Sequence, residues 1–265
     1  MSLPHGSFRL GLGTGMLLRR ITKHVKDQNW FAVWIDFVIV VVGVFLGIQI
    51  GNWNEARLSN LQEAEYLEQL RNEIASNADM ARMRATFVDR LIEGGRNGLD
   101  FLEKGEPCQV ECEDLIIDLF HASQIWGTDF FSEKYQETNR RGIPSHEPLR
   151  LTIQSIHSYL TGWDTVNSTP PAYRERIRGY IPVDALEALW RDCYDITDAP
   201  NELMTFGCKS ALAEMELAPA LSQMQDDPEL IRSLRYWIGQ NEHAQQNYPT
   251  VIERADAAVE AINRH

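Results

Sequence analysis

Proline and cysteine are scarce in the first part of this sequence. No proline occurs between Pro4 and Pro107. Because proline breaks helices from within, its absence leaves room for one very long helix. The 265 residues contain four cysteines, all of them after Pro107. So few cysteines exclude a small scaffold held together mainly by disulfides, and the average composition excludes a disordered or collagen-like chain.

Basic residues are also few: the chain has 25 Lys and Arg against 38 Asp and Glu, a formal net charge of −13. This balance argues against general nucleic-acid binding, because the neutralisation of phosphates needs clustered Lys and Arg. The charge is unevenly distributed. Residues 1–29 carry five basic residues and one acidic residue, a net charge of +4, which leaves 20 basic and 37 acidic residues, a net charge of −17, for the rest.

The sign of the charge changes across an apolar segment, residues 30–52. From Phe31 to Ile50 only two polar residues interrupt it, and about 20 such residues are what a membrane-spanning helix needs. Tryptophan is typical of the boundary between lipid and water, and the tryptophans that flank this segment are Trp30, Trp34 and Trp53. A buried core helix and a cleaved signal peptide are the alternatives, although residues 51–55 make a poor cleavage site. We predict a transmembrane helix over residues 30–52.

The distribution of basic residues predicts the orientation of this helix. Cytoplasmic flanks of membrane spans are enriched in Lys and Arg. Residues 1–29 should therefore form a cytoplasmic arm, and the chain after residue 52 should lie outside. Within the arm, residues 17–29 place basic side chains around an apolar face, which predicts a short amphipathic helix on the inner leaflet.

After the span, apolar residues recur at steps of three and four, which predicts an amphipathic stalk helix over residues 53–106 with a coiled-coil-like seam. The seam consists of Leu67, Leu70, Ile74, Ala78, Ala81, Ala85, Val88 and Ile92. We expect this helix to continue from the span and to end near Gly94 and Gly95, since two glycines favour a stop. Its seam should either close a helical bundle or mediate a contact above the membrane.

The region 107–265 shows shorter helical patterns separated by proline and glycine, and no sustained alternation of a strand. These patterns lie around residues 115–120, 149–163 and 186–193. Asp227-Pro228-Glu229 predicts the start of a last long helix, with an N-cap, a proline in the first turn and an acid near the positive end of the helix dipole. Pro249 should kink or interrupt this helix. We predict an all-α fold in which the first and last long helices pack antiparallel.

All four cysteines lie on the predicted outer side of the membrane, and residues 1–29 contain none. An even number of cysteines in an oxidising compartment predicts two disulfides, with three possible connectivities. We favour the local pairs Cys108–Cys112 and Cys193–Cys208. The alternative is a zinc site with four cysteine ligands, for which these spacings are loose.

Three glycines spaced by four, Gly43, Gly47 and Gly51, share one face of the predicted span, as in motifs by which membrane helices associate. Asp36 falls on the same stripe, where a carboxyl group is costly unless it is paired or hydrated. We interpret this association stripe as the contact surface for another membrane helix. The alternative is a lone helix with Asp36 near the interface.

The residues that follow the span predict an interface anchor. Trp53 suits the boundary of the bilayer, and the polar residues beside it, Asn52, Asn54 and Glu55, suit contact with lipid headgroups or with a neighbouring subunit. We favour anchoring alone.

The stretch from Asp36 to Glu55, which ends Gln-Ile-Gly-Asn-Trp-Asn-Glu, resembles an uncharacterised family of bacterial single-span membrane proteins. A second match, Glu133–Glu137 followed by Gly142 and by a helix that begins near Leu149, is similar to that family's Tyr-centred helix. The resemblance implies a bacterial inner-membrane protein with a helical periplasmic domain. It supplies no catalytic residues, and cysteines are not part of its pattern.

Motifs of catalytic chemistry are missing from the sequence. It contains no His-Glu-x-x-His and no Gly-x-Ser-x-Gly, and no histidine of the outer region has a partner at metal-ligand spacing. We therefore predict no catalytic residues, no metal site and no cofactor.

These observations predict a non-enzymatic single-span membrane protein that acts as a scaffold, an assembly factor or an accessory subunit. Its partners would be membrane lipids and either further copies of itself or another membrane protein complex, and not nucleic acid. One alternative is a periplasmic ligand sensor that works through a partner, because an arm of 29 residues is too short for an output domain. The other is a membrane-tethered enzyme with an unfamiliar site.

Overall fold

The computed structural model describes residues 30–126, 129–167, 171–198, 201–205 and 207–265. The cytoplasmic arm and its amphipathic helix, predicted over residues 1–29, lie outside the described residues. By its internal contacts the chain divides into two compact units, Met1–Leu61 and Gln62–His265. The boundaries predicted at residues 29, 52 and 106 stay predictions.

Helix α1 runs from Trp30 to Lys104 and contains 75 residues, which confirms the long helix that the absence of proline predicts. Its predicted end near Gly94 and Gly95 is wrong. The helix ends at Lys104 instead, where Gly105 follows with a φ of +65°. This left-handed conformation is typical of the glycine that terminates a helix.

The glycines inside α1 serve close packing. A Cβ atom on Gly94 would lie 2.7 Å from the main-chain oxygen of Asp118, and one on Gly98 would meet the side chain of Leu119. Both neighbours belong to the next helix, which begins at Cys112. Because Gly94 has no side chain, the backbones of the two helices approach at a distance that a larger residue at this position would prevent.

The second unit holds the other elements. In the described residues, α1 is followed by α2 Cys112–Ala122, α3 Glu133–Arg140, α4 Glu147–Asn167, α5 Ala172–Tyr180, α6 Val183–Asp192, α7 Ala218–Gln225 and α8 Pro228–Asn263. Between α6 and α7 lie the strands β1 Tyr194–Asp198 and β2 Asn201–Met204 and the 3-10 helix Cys208–Ala211. The three helical patterns read from the sequence correspond to α2, α4 and α6, and the all-α fold class is confirmed.

The strands β1 and β2 form a small antiparallel hairpin that was not predicted. Tyr194 pairs with Met204 and Asp195 with Leu203. Strands of five and four residues are too short for alternation of polar and apolar side chains to stand out.

Helices α1 and α8 pack antiparallel, as predicted. Residue numbers fall along α8 as they rise along α1 in the ion pairs that join them, Arg82–Asp256, Arg96–Glu242 and Glu103–Arg235. Exposed pairs of this kind contribute at most about 1 kcal/mol each. The apolar residues between the helices therefore dominate the packing.

The seam of α1 is buried in the core of the second unit. Leu70, Ala78 and Ala81 are at most 1% exposed, and fully buried side chains of other helices belong to the same hydrophobic cluster, among them Phe120 of α2 and Tyr173 of α5. The seam was predicted either to close a helical bundle or to mediate a contact above the membrane. The structure shows the first of these roles, because the seam packs in the core of the bundle.

Helix α8 begins where the sequence predicts. The carboxylate of Asp227 accepts hydrogen bonds from the N–H groups of Glu229 and Leu230 at 3.0 and 3.1 Å and so caps the helix. Of the two effects predicted for Pro249, the interruption is wrong, because α8 continues through this residue, and the kink stays a prediction. A proline removes one backbone hydrogen bond from a helix of 36 residues, and the adjacent Tyr248 stays packed at 4% exposure.

Candidate functional site

The association stripe lies on α1. Asp36, Gly43, Gly47 and Gly51 are all exposed, and a Cβ atom added to any of the three glycines would meet nothing within 4 Å. Packing against the described residues of the chain therefore does not require glycine at these positions. Gly94 of the same helix is the contrasting case, because its missing side chain is explained by the helix packed against it.

The N-terminal part of α1 has the length and composition of a helix that crosses a membrane, and none of its most apolar stretch is buried. Large apolar side chains are exposed all along it, including Phe31, Trp34, Phe37, Phe45 and Ile50. An apolar surface of this extent needs lipid or a protein partner to cover it. That this stretch crosses a membrane, and the direction in which it does so, stay predictions.

The residues predicted at the membrane interface lie at the two ends of this apolar stretch. The tryptophans are strongly exposed: Trp30 at 66%, Trp34 at 62% and Trp53 at 67%. The polar residues beside Trp53 are exposed as well, namely Asn52, Asn54 and Glu55. Their contacts with lipid headgroups or with a neighbouring subunit stay predictions.

The cysteines form the two disulfides that we favour from the sequence, Cys108–Cys112 and Cys193–Cys208. The first bridges the connection between α1 and α2. The second joins the end of α6 to the 3-10 helix and so closes the base of the hairpin. With these bonds formed, the sulfurs are not available for zinc, and in the described part of the chain no three His, Cys, Asp or Glu side chains form a metal-binding group. Disulfides are typical of oxidising compartments.

Three polar side chains of α1, Glu63, Glu73 and Asn77, bind the backbone between α2 and α4; we call them the polar clamp. Asn77 is 3% exposed and makes two hydrogen bonds to one residue. Its side-chain nitrogen donates to the main-chain oxygen of Phe131, and its side-chain oxygen accepts from the N–H of Phe131, each at 2.8 Å. This reciprocal pair fixes both the position and the orientation of Phe131.

The two glutamates of the clamp bind backbone N–H groups further along the segment. Glu73 accepts from the N–H of Lys134 at 2.7 Å and of Tyr135 at 2.9 Å, in the first turn of α3. A carboxylate at this end of a helix satisfies free N–H groups and interacts favourably with the helix dipole. Glu63 accepts from the N–H of Ser145 at 2.7 Å and from its hydroxyl at 3.0 Å.

The clamped segment is also held from α4. The ring of His157 stacks on that of Tyr135, with centroids 3.7 Å apart. Burial lowers the pKa of His157, although the charge of Glu73 opposes this effect. Burial also raises the pKa of Tyr135. The clamp thus orients a segment that presents Phe131 at 49% exposure.

No pattern in the sequence indicates the polar clamp. Glu73 and Asn77 are one helical turn apart beside the apolar seam, a position where polar residues are normally solvated. Their partners are main-chain groups 54 to 62 residues away, and a main-chain group has no signature in a sequence.

No family model, curated protein or solved structure matches this chain. The family resemblance read from Asp36–Glu55 stays a prediction, so function has to be argued from the residues and contacts themselves.

Proposed function

We propose that this protein is a non-enzymatic, membrane-anchored scaffold or accessory subunit that assembles through its span. The partner helix would come from another copy of the chain or from another membrane protein complex. It would contact the association stripe of Asp36, Gly43, Gly47 and Gly51.

The observation that carries this proposal is the lack of an intramolecular role for the three glycines of the stripe. In water-soluble parts of a chain, glycine inside a helix is destabilising by about 1 kcal/mol relative to alanine, and it persists where something packs closely against it. Gly94 and Gly98 have such a neighbour, whereas Gly43, Gly47 and Gly51 have none in the part of the chain that the structure describes. Small residues at this spacing let the backbones of two membrane helices approach closely.

The proposal places the second unit outside the cytoplasm of a bacterium, in the periplasm. Two disulfides, the excess of Lys and Arg before the span and the resemblance of residues 36–55 to a bacterial single-span family support this placement. A thiol reagent that does not cross the inner membrane tests it on intact spheroplasts after mild reduction. Labelling of Cys108 and Cys112 is the expected result, and labelling that requires lysis would refute this topology.

The test of assembly is the native mass of the full-length protein, extracted gently from its own membrane, with every co-migrating chain identified. Gly47→Leu should lower the mass or release the partner, because the leucine side chain holds the two backbones apart. Val41→Phe adds bulk on another face of the helix and should leave the assembly intact. An assembly of unchanged mass in Gly47→Leu, or a wild-type chain that migrates as a monomer, would refute the proposal.

A further inference from the structure

Helix α5 carries two arginines one turn apart that both reach the chain after α2. The Nη1 atom of Arg174 donates to the main-chain oxygen of Ser123 at 2.8 Å. Arg178 donates from Nε to the hydroxyl of Ser123 at 3.0 Å, and from Nη2 to the side-chain oxygen of Gln124 at 3.0 Å. The acceptors of Arg178 among the described residues are neutral.

The charge of Arg178 is not balanced by an acid. No carboxylate of the described residues lies within 4.0 Å of its guanidinium group, although the residue is only partly exposed. Burial and, next, the charge of Arg174 lower the pKa of Arg178 to about 10. The nearby Arg176 differs from Arg178, since its guanidinium donates to the carboxylate of Asp227 at 2.8 and 2.9 Å.

One nitrogen of the Arg178 guanidinium remains open. Its Nη1 atom donates to no atom of the described residues, and it is not among the buried polar atoms that lack a partner, so it reaches solvent. Because Nε and Nη2 already donate to Ser123 and Gln124, Nη1 is the nitrogen that can make a charge-assisted hydrogen bond to a carboxylate.

Two aromatic rings lie beside the guanidinium group of Arg178. The Cζ atom of Arg178 is 4.8 Å from the ring centroid of Trp190 and 5.5 Å from that of Phe120. Trp190 makes edge contacts with Phe120 and Tyr194, each at 5.1 Å between centroids, which fix its orientation. It is nonetheless 40% exposed, so part of the ring is available to a ligand.

We infer that Arg178 and Trp190 form a binding site for an organic carboxylate with an apolar body. The carboxylate would accept from Nη1 of Arg178, and the apolar body would lie on the exposed part of Trp190. Such a ligand supplies a negative charge where the described part of the chain places no carboxylate beside Arg178. The site is independent of the span and of the proposed assembly.

The probe is benzoate, titrated at constant ionic strength into the full-length protein in detergent, with benzamide as the neutral isostere. Calorimetry should give saturable benzoate binding with a Kd of about 1 mM or tighter, as expected for one charge-assisted contact beside an aromatic ring. Benzamide should bind at least about tenfold more weakly. Absence of saturation at about 50 mM benzoate, or equal binding of benzamide, would overturn the inference.

Variants locate the binding. Arg178→Gln should weaken benzoate binding at least about tenfold, and Arg178→Lys, which keeps the charge and the alkyl stem but lacks the Nη1 donor, should retain part of it. Arg191→Gln is the matched control, because Arg191 is an exposed arginine next to Trp190 that already pairs with Asp192. Benzoate affinity that is unchanged in a folded Arg178→Lys variant, or lost equally in Arg191→Gln, would overturn the site.

Two further probes define the ligand. Inorganic phosphate should bind more weakly than benzoate and should be insensitive to Trp190→Ala; phosphate binding as tight as that of benzoate would overturn the carboxylate class. A short peptide ending in a free phenylalanine carboxylate is compared with its amide. If the free peptide binds more tightly than benzoate, the site is supported and its natural carboxylate comes from a protein C-terminus. If the free peptide binds more weakly, the site is supported and its natural carboxylate comes from a small solute.

Discussion

Replacement of Asn77 by alanine tests the polar clamp most directly. The change removes both 2.8 Å hydrogen bonds to Phe131. Each bond contributes about 0.5–1.5 kcal/mol, and a partner left unpaired away from water adds to the loss. Because Phe131 is 49% exposed, water replaces part of what is lost. We therefore expect the free energy of opening of the clamped segment to fall by about 2 kcal/mol.

The assay is hydrogen exchange of backbone amides in the full-length protein in detergent. A loss of about 2 kcal/mol corresponds to about 30-fold faster exchange of protected amides in the segment, such as that of Lys134. The opening should be local, because α3 has eight residues and buries one of them, Thr138. The amide of Val251, in the middle of α8, should exchange at its wild-type rate.

Asn77→Asp is the matched variant, since it changes one atom of the side chain. The introduced carboxylate still accepts from the N–H of Phe131 but has no proton to donate to its main-chain oxygen. At neutral pH the segment should open at least as readily as in Asn77→Ala. Acidification protonates the introduced carboxyl group and restores a donor, so protection factors should recover as the pH falls. Exchange of Lys134 within about twofold of wild type in Asn77→Ala, or no recovery at low pH in Asn77→Asp, would refute this account of the clamp.

Three more predictions concern the packing of the second unit. Burial raises the pKa of Asp118 to about 6, so between about pH 4 and pH 6 the folded chain holds a proton that the unfolded chain releases, and the free energy of unfolding falls as the pH rises through this range. The Asp118→Asn variant should lack this fall and should gain about 1 kcal/mol at pH 7 in urea denaturation, after allowance for solvent screening. Gly94→Ala should lower the free energy of unfolding by about 1–3 kcal/mol because the added Cβ meets a main-chain oxygen, whereas Gly239→Ala, with nothing within 4 Å of its Cβ, should raise it by up to about 1 kcal/mol. Equal melting temperatures of the two variants would contradict the packing role of Gly94. Asp227→Ala should lose about 1 kcal/mol or more with the cap of α8, and wild-type stability would show that the cap is dispensable.

The features that the sequence predicts correctly depend on neighbours along the chain. The cap at Asp227, the pairs Cys108–Cys112 and Cys193–Cys208 and the long α1 all follow from local residue types or spacing. The end of α1 was mispredicted because Gly94 favours a stop locally but serves packing against α2 in the fold. The clamp was missed because its partners are main-chain groups far away in sequence, brought together only by the fold.

Helix α1 meets two different environments along its length. After Leu61, its seam, its glycines and its clamp residues are occupied by other parts of the second unit. From Trp30 to Leu61, every residue except Val38 is exposed, including the association stripe. The described chain therefore covers one half of the helix and leaves the other half exposed, and under the proposed function lipid and a partner helix would cover the exposed half. A Gly47→Leu variant that loses its assembly while the exchange of Lys134 stays at the wild-type rate would demonstrate that these two uses of one helix are energetically separate.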